Sequence, residues 1–167
     1  MTHPKYVIVV GIDYSNASER ALNEAFVLAA SKHGVRLHVV NVRSPIDDPA
    51  TSKHAAPAPL PPWDYWAAEL REYVAGKVAA FEATARKTPF QHLYTHQRMN
   101  DPAQELAQLA TSVEADLVVV GTHDWQSEGG HTLGSVAEAI TRLAPCPVLV
   151  VRRKAAPVTE LAAATAP

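Results

Sequence analysis

Residues 5–13 read "KYVIVVGID", an almost unbroken apolar run rich in Val and Ile. A strand with one wet face alternates apolar and polar side chains. A continuous apolar run is what a strand covered on both faces requires. The next stretch, "NASERALNEAFVLAASKHG" (16–34), changes period: Leu22, Ala25, Phe26 and Ala29 fall on one helical face. Asn16 and Glu19 stand at capping-box spacing, and Gly34 offers a stop. A doubly buried strand followed by an amphipathic helix is the opening of a parallel α/β sheet.

The rest of the chain repeats this unit. "RLHVVNV" (36–42) is a second strand. The segment 45–62 holds six of the 13 prolines, which excludes a regular helix or an inner strand, and it is expected to be an exposed loop. A long helix over 64–87 follows, with Leu70, Val74, Val78 and Phe81 on one stripe. "HLYTHQRM" (92–99) alternates weakly, as a more exposed strand does. In the next helix Asp101 is placed to cap, Pro102 to open, and Gln104 to complete a capping box. "DLVVVG" (116–121), a turn, "SVAEAITRL" (135–143) and "PVLVVR" (147–152) close the series. Five strands and four helices in this order predict one parallel sheet with right-handed crossovers and helices on both faces. Ligands of such sheets bind beyond the strand C-termini, where strand order reverses.

At 167 residues, 47% hydrophobic and with net charge −2, the chain has enough apolar surface for one core. That charge balance gives no electrostatic attraction to nucleic acid or to an anionic membrane. No window approaches the roughly 20 apolar residues of a membrane span. The start of the chain lacks the apolar core and small-residue cleavage site of a secretory leader. The single cysteine, Cys146, excludes an internal disulfide and fits a reducing compartment, so a cytoplasmic protein is expected. Residues 1–153 are expected to form the domain, and 154–167, without a long periodic face, a disordered tail.

Three segments, "VVGIDYSNASERAL", "NDPAQELAQLATSVEADLVVVG" and "LGSVAEAITRLAPCPVLVVR", resemble the universal stress protein family in sequence and in order. The resemblance spans nearly all of residues 6–152 apart from the proline-rich loop. It implies a Rossmann-like five-stranded sheet of order 3-2-1-4-5 and homodimers joined along the last strand, 147–152. In some members it also implies an adenine nucleotide such as ATP, with Mg²⁺ arriving only on the nucleotide. ATP-binding members carry a turn G-x2-G-x9-G-[ST] after the fourth strand. Here Gly121 fills its first place, and Gly134 and Ser135 its last two. By the same resemblance Asp13 holds the acidic position associated with the nucleoside, and Val42 the position that meets adenine.

One place departs from the pattern. The second glycine of the turn is Asp124, and "GTHDWQSEGGHTLGS" (121–135) contains Glu128 but no Lys or Arg. A like-charge contact at about 4 Å in an effective dielectric near 20 costs about 4 kcal/mol, close to a thousandfold in affinity. Two functions therefore stand side by side. One is a stress-response homodimer that binds ATP or another adenine nucleotide. The other is a protein of the same fold that acts on an unknown protein partner without a nucleotide. An enzyme is not expected, because no nucleophile elbow, Walker loop or catalytic cation appears.

Each site residue also has an architectural alternative. Asp13 can hold a turn, Val42 can be core, and Gly121 and Gly134 can serve tight connections. Ser135 can cap a helix, with Glu138 three residues on. His123, Asp124 and His131 have no metal-ligand spacing, and none is expected to hold a metal. "PPWDYW" (61–66) is expected to staple the long helix to the sheet, or else to cover the crevice or meet a partner.

Overall fold

The computed structural model describes residues 6–43, 63–122 and 133–153. The expected loop 45–62, tail 154–167 and the middle of the glycine turn, with His123, Asp124 and His131, lie outside the described residues. The chain runs β1 (Val7–Ile12), α1 (Asn16–Ala30), β2 (Arg36–Arg43), α2 (Trp63–Ala85), β3 (His92–Met99), α3 (Pro102–Ser112), β4 (Leu117–Gly121), α4 (Ser135–Leu143) and β5 (Val148–Val151). All pairings are parallel, and the sheet order is β3-β2-β1-β4-β5, as expected.

β1 is the middle strand, which is why its sequence is apolar at every step. Ile8 and Val10 pack with Phe26 of α1 and Leu70 and Val74 of α2. Val9 points the other way, into a cluster with Leu106 and Leu109 of α3 and Ile140 of α4. Helices α1 and α2 thus cover one face, and α3 and α4 the other. β3 is an edge strand with half-buried and exposed positions throughout, in keeping with its weak alternation.

Two caps differ from expectation. The N-cap of α1 is Ser15, not Asn16: its Oγ accepts the Ser18 N–H at 3.2 Å, and Asn16 is already helical. The N-cap of α4 is Gly134, not Ser135, and it supplies no side-chain hydrogen bond. Glu138 instead pairs with Arg142 at 2.6 Å, one turn along α4. Asp101 caps α3 as expected, its Oδ1 accepting the Gln104 N–H at 2.9 Å.

Of the aromatic group that opens α2, only Trp66 is a staple. It is 9% exposed and lies under the Arg43 guanidinium at 4.6 Å, whereas Trp63 and Tyr65 are exposed. Cys146 is half-buried at the approach to β5, and burial pushes its thiol pKa up, away from the reactive thiolate.

Candidate functional site

The chain leaves β1 toward β2 on one side of the sheet and returns to β4 on the other. Crossovers in opposite directions leave a crevice beyond the strand ends. A cleft of about 260 Å³ lies there, and Asp13, Val42, Gly121, Gly134 and Ser135 all line it. The five residues singled out from the sequence therefore share one concavity, although 122 residues separate the first from the last.

Asp13 enters the cleft through a tightly bonded turn. Its backbone N–H donates to Ser18 Oγ at 3.2 Å, and its Oδ1 accepts the Ser15 N–H at 3.0 Å. Ser18 Oγ donates in turn to the Ser15 carbonyl at 3.0 Å, and Ser18 is buried. Between them Tyr14 adopts φ 63°, a left-handed conformation that costs a bulky residue about 1–3 kcal/mol. That twist turns its ring to the α2 side, edge-on to Tyr73 with centroids 5.0 Å apart. Burial, then the nearby Glu69 carboxylate, pushes the Tyr14 pKa up to about 12.

Gly121 ends β4 against the first turn of α1. A Cβ there would stand 2.3 Å from the Ala17 carbonyl oxygen and 2.4 Å from its carbon. The glycine is thus required by close backbone approach, a reason that holds with or without a ligand. Gly134, at φ −56° and ψ 151°, is in a conformation open to other residues. Its contribution is to begin α4 without a side chain competing for the first-turn N–H groups, and Ser135, Val136 and Ala137 of that turn line the cleft.

The walls are apolar: Val40 and Val42 from β2, Leu106 from α3, Val120 from β4. Asp13 is the one ionisable residue among the described lining residues. At the same end of the sheet Arg43 pairs with Glu69 at 3.2 Å and Arg98 with Glu105 at 3.0 Å, while Arg152 follows β5, exposed, next to Val151, which pairs with Gly121. The cleft accordingly offers a flat apolar slot, one carboxylate and one helix N-terminus. That set can hold a planar ring, accept hydrogen bonds from hydroxyls and donate to an anion.

Sequence reasoning missed Ser15, Ser18, Pro102 and Leu106 as parts of this site. The pattern Asp13-x-Ser15-x-x-Ser18 after a buried strand was the available signal, since the serines build the turn that aims the carboxylate. Among the described residues, no group of three or more His, Cys, Asp or Glu side chains is placed to hold a metal ion.

The model of the universal stress protein family matches residues 6–152. The chain belongs to the universal stress protein family. It is 30% identical over 152 residues to a putative universal stress protein of Staphylococcus saprophyticus, covering 90% of this chain and 85% of that one. It is 32% identical over 145 residues to a universal stress protein of Thermus aquaticus, covering 87% and 97%. Among solved structures, universal stress protein UspA of Lactobacillus plantarum superposes with TM-score 0.56 at 24% identity, covering 88% of this chain and 97% of its own. A universal stress protein in complex with cAMP superposes with TM-score 0.57 at 23% identity, covering 89% and 98%. A family member from Arabidopsis thaliana with AMP bound superposes with TM-score 0.52 at 19% identity, covering 90% and 93%. These structural likenesses establish the fold, and the family match agrees with the sheet order found above.

Proposed function

We propose that this universal stress protein binds an adenine nucleotide or nucleoside in the β1/β4 cleft and acts as a stress-response homodimer. The observation that carries this reading is the convergence of Asp13, Val42 and the N-terminus of α4, at Gly134 and Ser135, on one concavity. Adenine lies against Val42 and its apolar neighbours. The Asp13 carboxylate accepts from sugar hydroxyls, and the backbone N–H groups at Ser135 and beyond meet a phosphate. Gly121 keeps the cleft floor low by letting β4 touch α1. A volume of about 260 Å³ suits a small ligand with its polar end toward solvent. The cAMP and AMP complexes of two neighbours of the same fold support the ligand class. Any Mg²⁺ enters with the phosphates of the ligand. The cleft is a binding site, and slow hydrolysis of a bound nucleotide would accompany binding without being the function.

β5 is an edge strand whose four residues are half-buried in the single chain. Pairing of 147–152 with its counterpart about a two-fold axis covers that edge and closes the dimer. Among the described residues no helix is long and apolar enough to cross a membrane. Together with the lone cysteine, this supports the cytoplasm as the working compartment.

A second reading, action through protein contacts alone, draws on Asp124 in place of the turn's second glycine. Calorimetric titration with adenosine, AMP and ATP, preceded by a search for adenine nucleotide released on denaturation, separates the two. Heat of binding that is lost in Val42→Arg supports the nucleotide reading. No released nucleotide and no heat at millimolar ligand would leave the second. Sedimentation of a monomer at tens of micromolar would remove the dimer.

A further inference from the structure

We infer that, within the nucleotide reading and resting on it, Arg152 is the cation that meets the phosphate of the ligand. The register of the last two strands places it. Val120 pairs with Val150 and Gly121 with Val151, and the Thr122 N–H donates to the Val151 carbonyl at 3.1 Å. Arg152 therefore leaves β5 level with the first residue of the turn, one step beyond Gly121 of the cleft lining. Adjacent strands lie about 4.8 Å apart, a gap that an extended arginine side chain spans.

Alternation along β5 sets the side. Val148 and Val150 pack into the cluster beneath α3 and α4, whereas Leu149 and Val151 pack toward α1 and α2. Carried one residue past the strand, the same alternation assigns Arg152 to the α4 side and Arg153 to the other. The cleft walls Val40, Leu106 and Val120 belong to the α3/α4 cluster, so Arg152 shares a face with the cleft as well as an end of the sheet. Arg152 is exposed, and among the described residues it makes no ion pair, whereas Arg43 and Arg98 are each held by a glutamate. A guanidinium presents a planar fork that matches two phosphate oxygens, and such charge-assisted bonds are about twice as strong as neutral ones. Pairing of the β5 edge with a second copy uses backbone groups in the plane of the sheet and leaves this side chain directed toward α4.

The test titrates adenosine, AMP and ATP separately, by calorimetry at low salt in EDTA, into the full-length protein and its Arg152→Gln and Arg153→Gln variants. Both variants lose one positive charge, and only the first loses the fork on the cleft side. Arg152→Gln is expected to weaken AMP and ATP about tenfold and to leave adenosine unchanged. The difference is expected to narrow as salt is raised. Arg153→Gln is expected to bind all three ligands as the unaltered protein does. AMP and ATP binding undiminished in Arg152→Gln would overturn the role of Arg152 while leaving the nucleotide reading intact. Equal losses in the two variants, or a matching loss for adenosine, would overturn it as well. Absence of binding of all three ligands by the unaltered protein would overturn both.

Discussion

Replacing Gly121 by alanine tests the packing on which the cleft is built. The new Cβ would stand 2.3 Å from the Ala17 oxygen and 2.4 Å from its carbon. Ordinary carbon–oxygen contacts begin near 3.3 Å, so α1 must retreat from β4 by roughly 1 Å. Both partners are backbone, so no rotamer change can absorb the clash. Overpacking of this kind costs about 1–3 kcal/mol, and the upper end applies here. The stiffer unfolded chain returns about 0.4–1 kcal/mol, leaving a net loss of about 2 kcal/mol. For a chain of this size that lowers Tm by roughly 4–8 °C.

Gly76 is the internal control. It lies exposed within α2, and a Cβ there meets nothing within 4 Å. Gly76→Ala is expected to stabilise by about 1 kcal/mol through helix propensity alone. Urea unfolding of both variants, with m unchanged, reads the two signs directly. A Gly121→Ala loss below about 0.5 kcal/mol, within the range of ordinary surface changes, would refute the close-approach account.

Further outcomes follow from other parts of the fold. His38 is 7% exposed, its Nδ1 2.9 Å from His96 Nε2, and burial, then His96 and Arg36, pull its pKa from 6.5 down to about 4. Both states are neutral above pH 6.5, and the unfolded chain binds the extra proton between 6.5 and 4. Stability therefore falls as pH drops through that window, by about 2 kcal/mol at pH 5. A urea midpoint equal at pH 7.5 and 5 would contradict this. Asp101→Ala removes the α3 cap and is expected to cost about 1 kcal/mol by the same assay; no change would mean the 2.9 Å bond is not formed in solution. The Tyr14 hydroxyl is buried without a hydrogen-bond partner among the described residues, so Tyr14→Phe is expected to be neutral or stabilising by up to about 1 kcal/mol. A clear loss of stability would show that the hydroxyl is satisfied. Asp124→Gly is expected to tighten ATP binding, and unchanged affinity in calorimetry would remove the charge argument for that position.

Most of the architecture was legible because the pattern of burial is written in residue type. The continuous apolar runs at β1 and β4 follow from coverage on both faces, and the helical stripes of α1 and α2 from coverage on one. The caps were read one residue off at α1 and α4, since Ser15 and Asn16 are equally competent by type. The choice between them is made by the left-handed turn at Tyr14, which no composition rule predicts. Residues 63–66 gave no clue to which ring is buried; that depends on Arg43 at the end of β2 reaching Trp66. The His38–His96 contact depends on the register of β2 against β3, where His38 aligns with Tyr94 and Val40 with His96. Five cleft residues were reached from the family pattern. The serine pair behind Asp13 was not, because its role lies in hydrogen bonds to backbone.

Neighbouring residues at the mouth of β1 serve opposite layers of the molecule: Asp13 borders the cleft, while Tyr14 is wedged against Tyr73 beneath α2. A change in the peptide torsions between the two that tilts Asp13 is expected to shift the Tyr14 ring against Tyr73. With five tyrosines in the chain, the part of the tyrosine absorbance lost in Tyr14→Phe is the spectroscopic gauge of events at the crevice, readable from the far side of the sheet without any attached label.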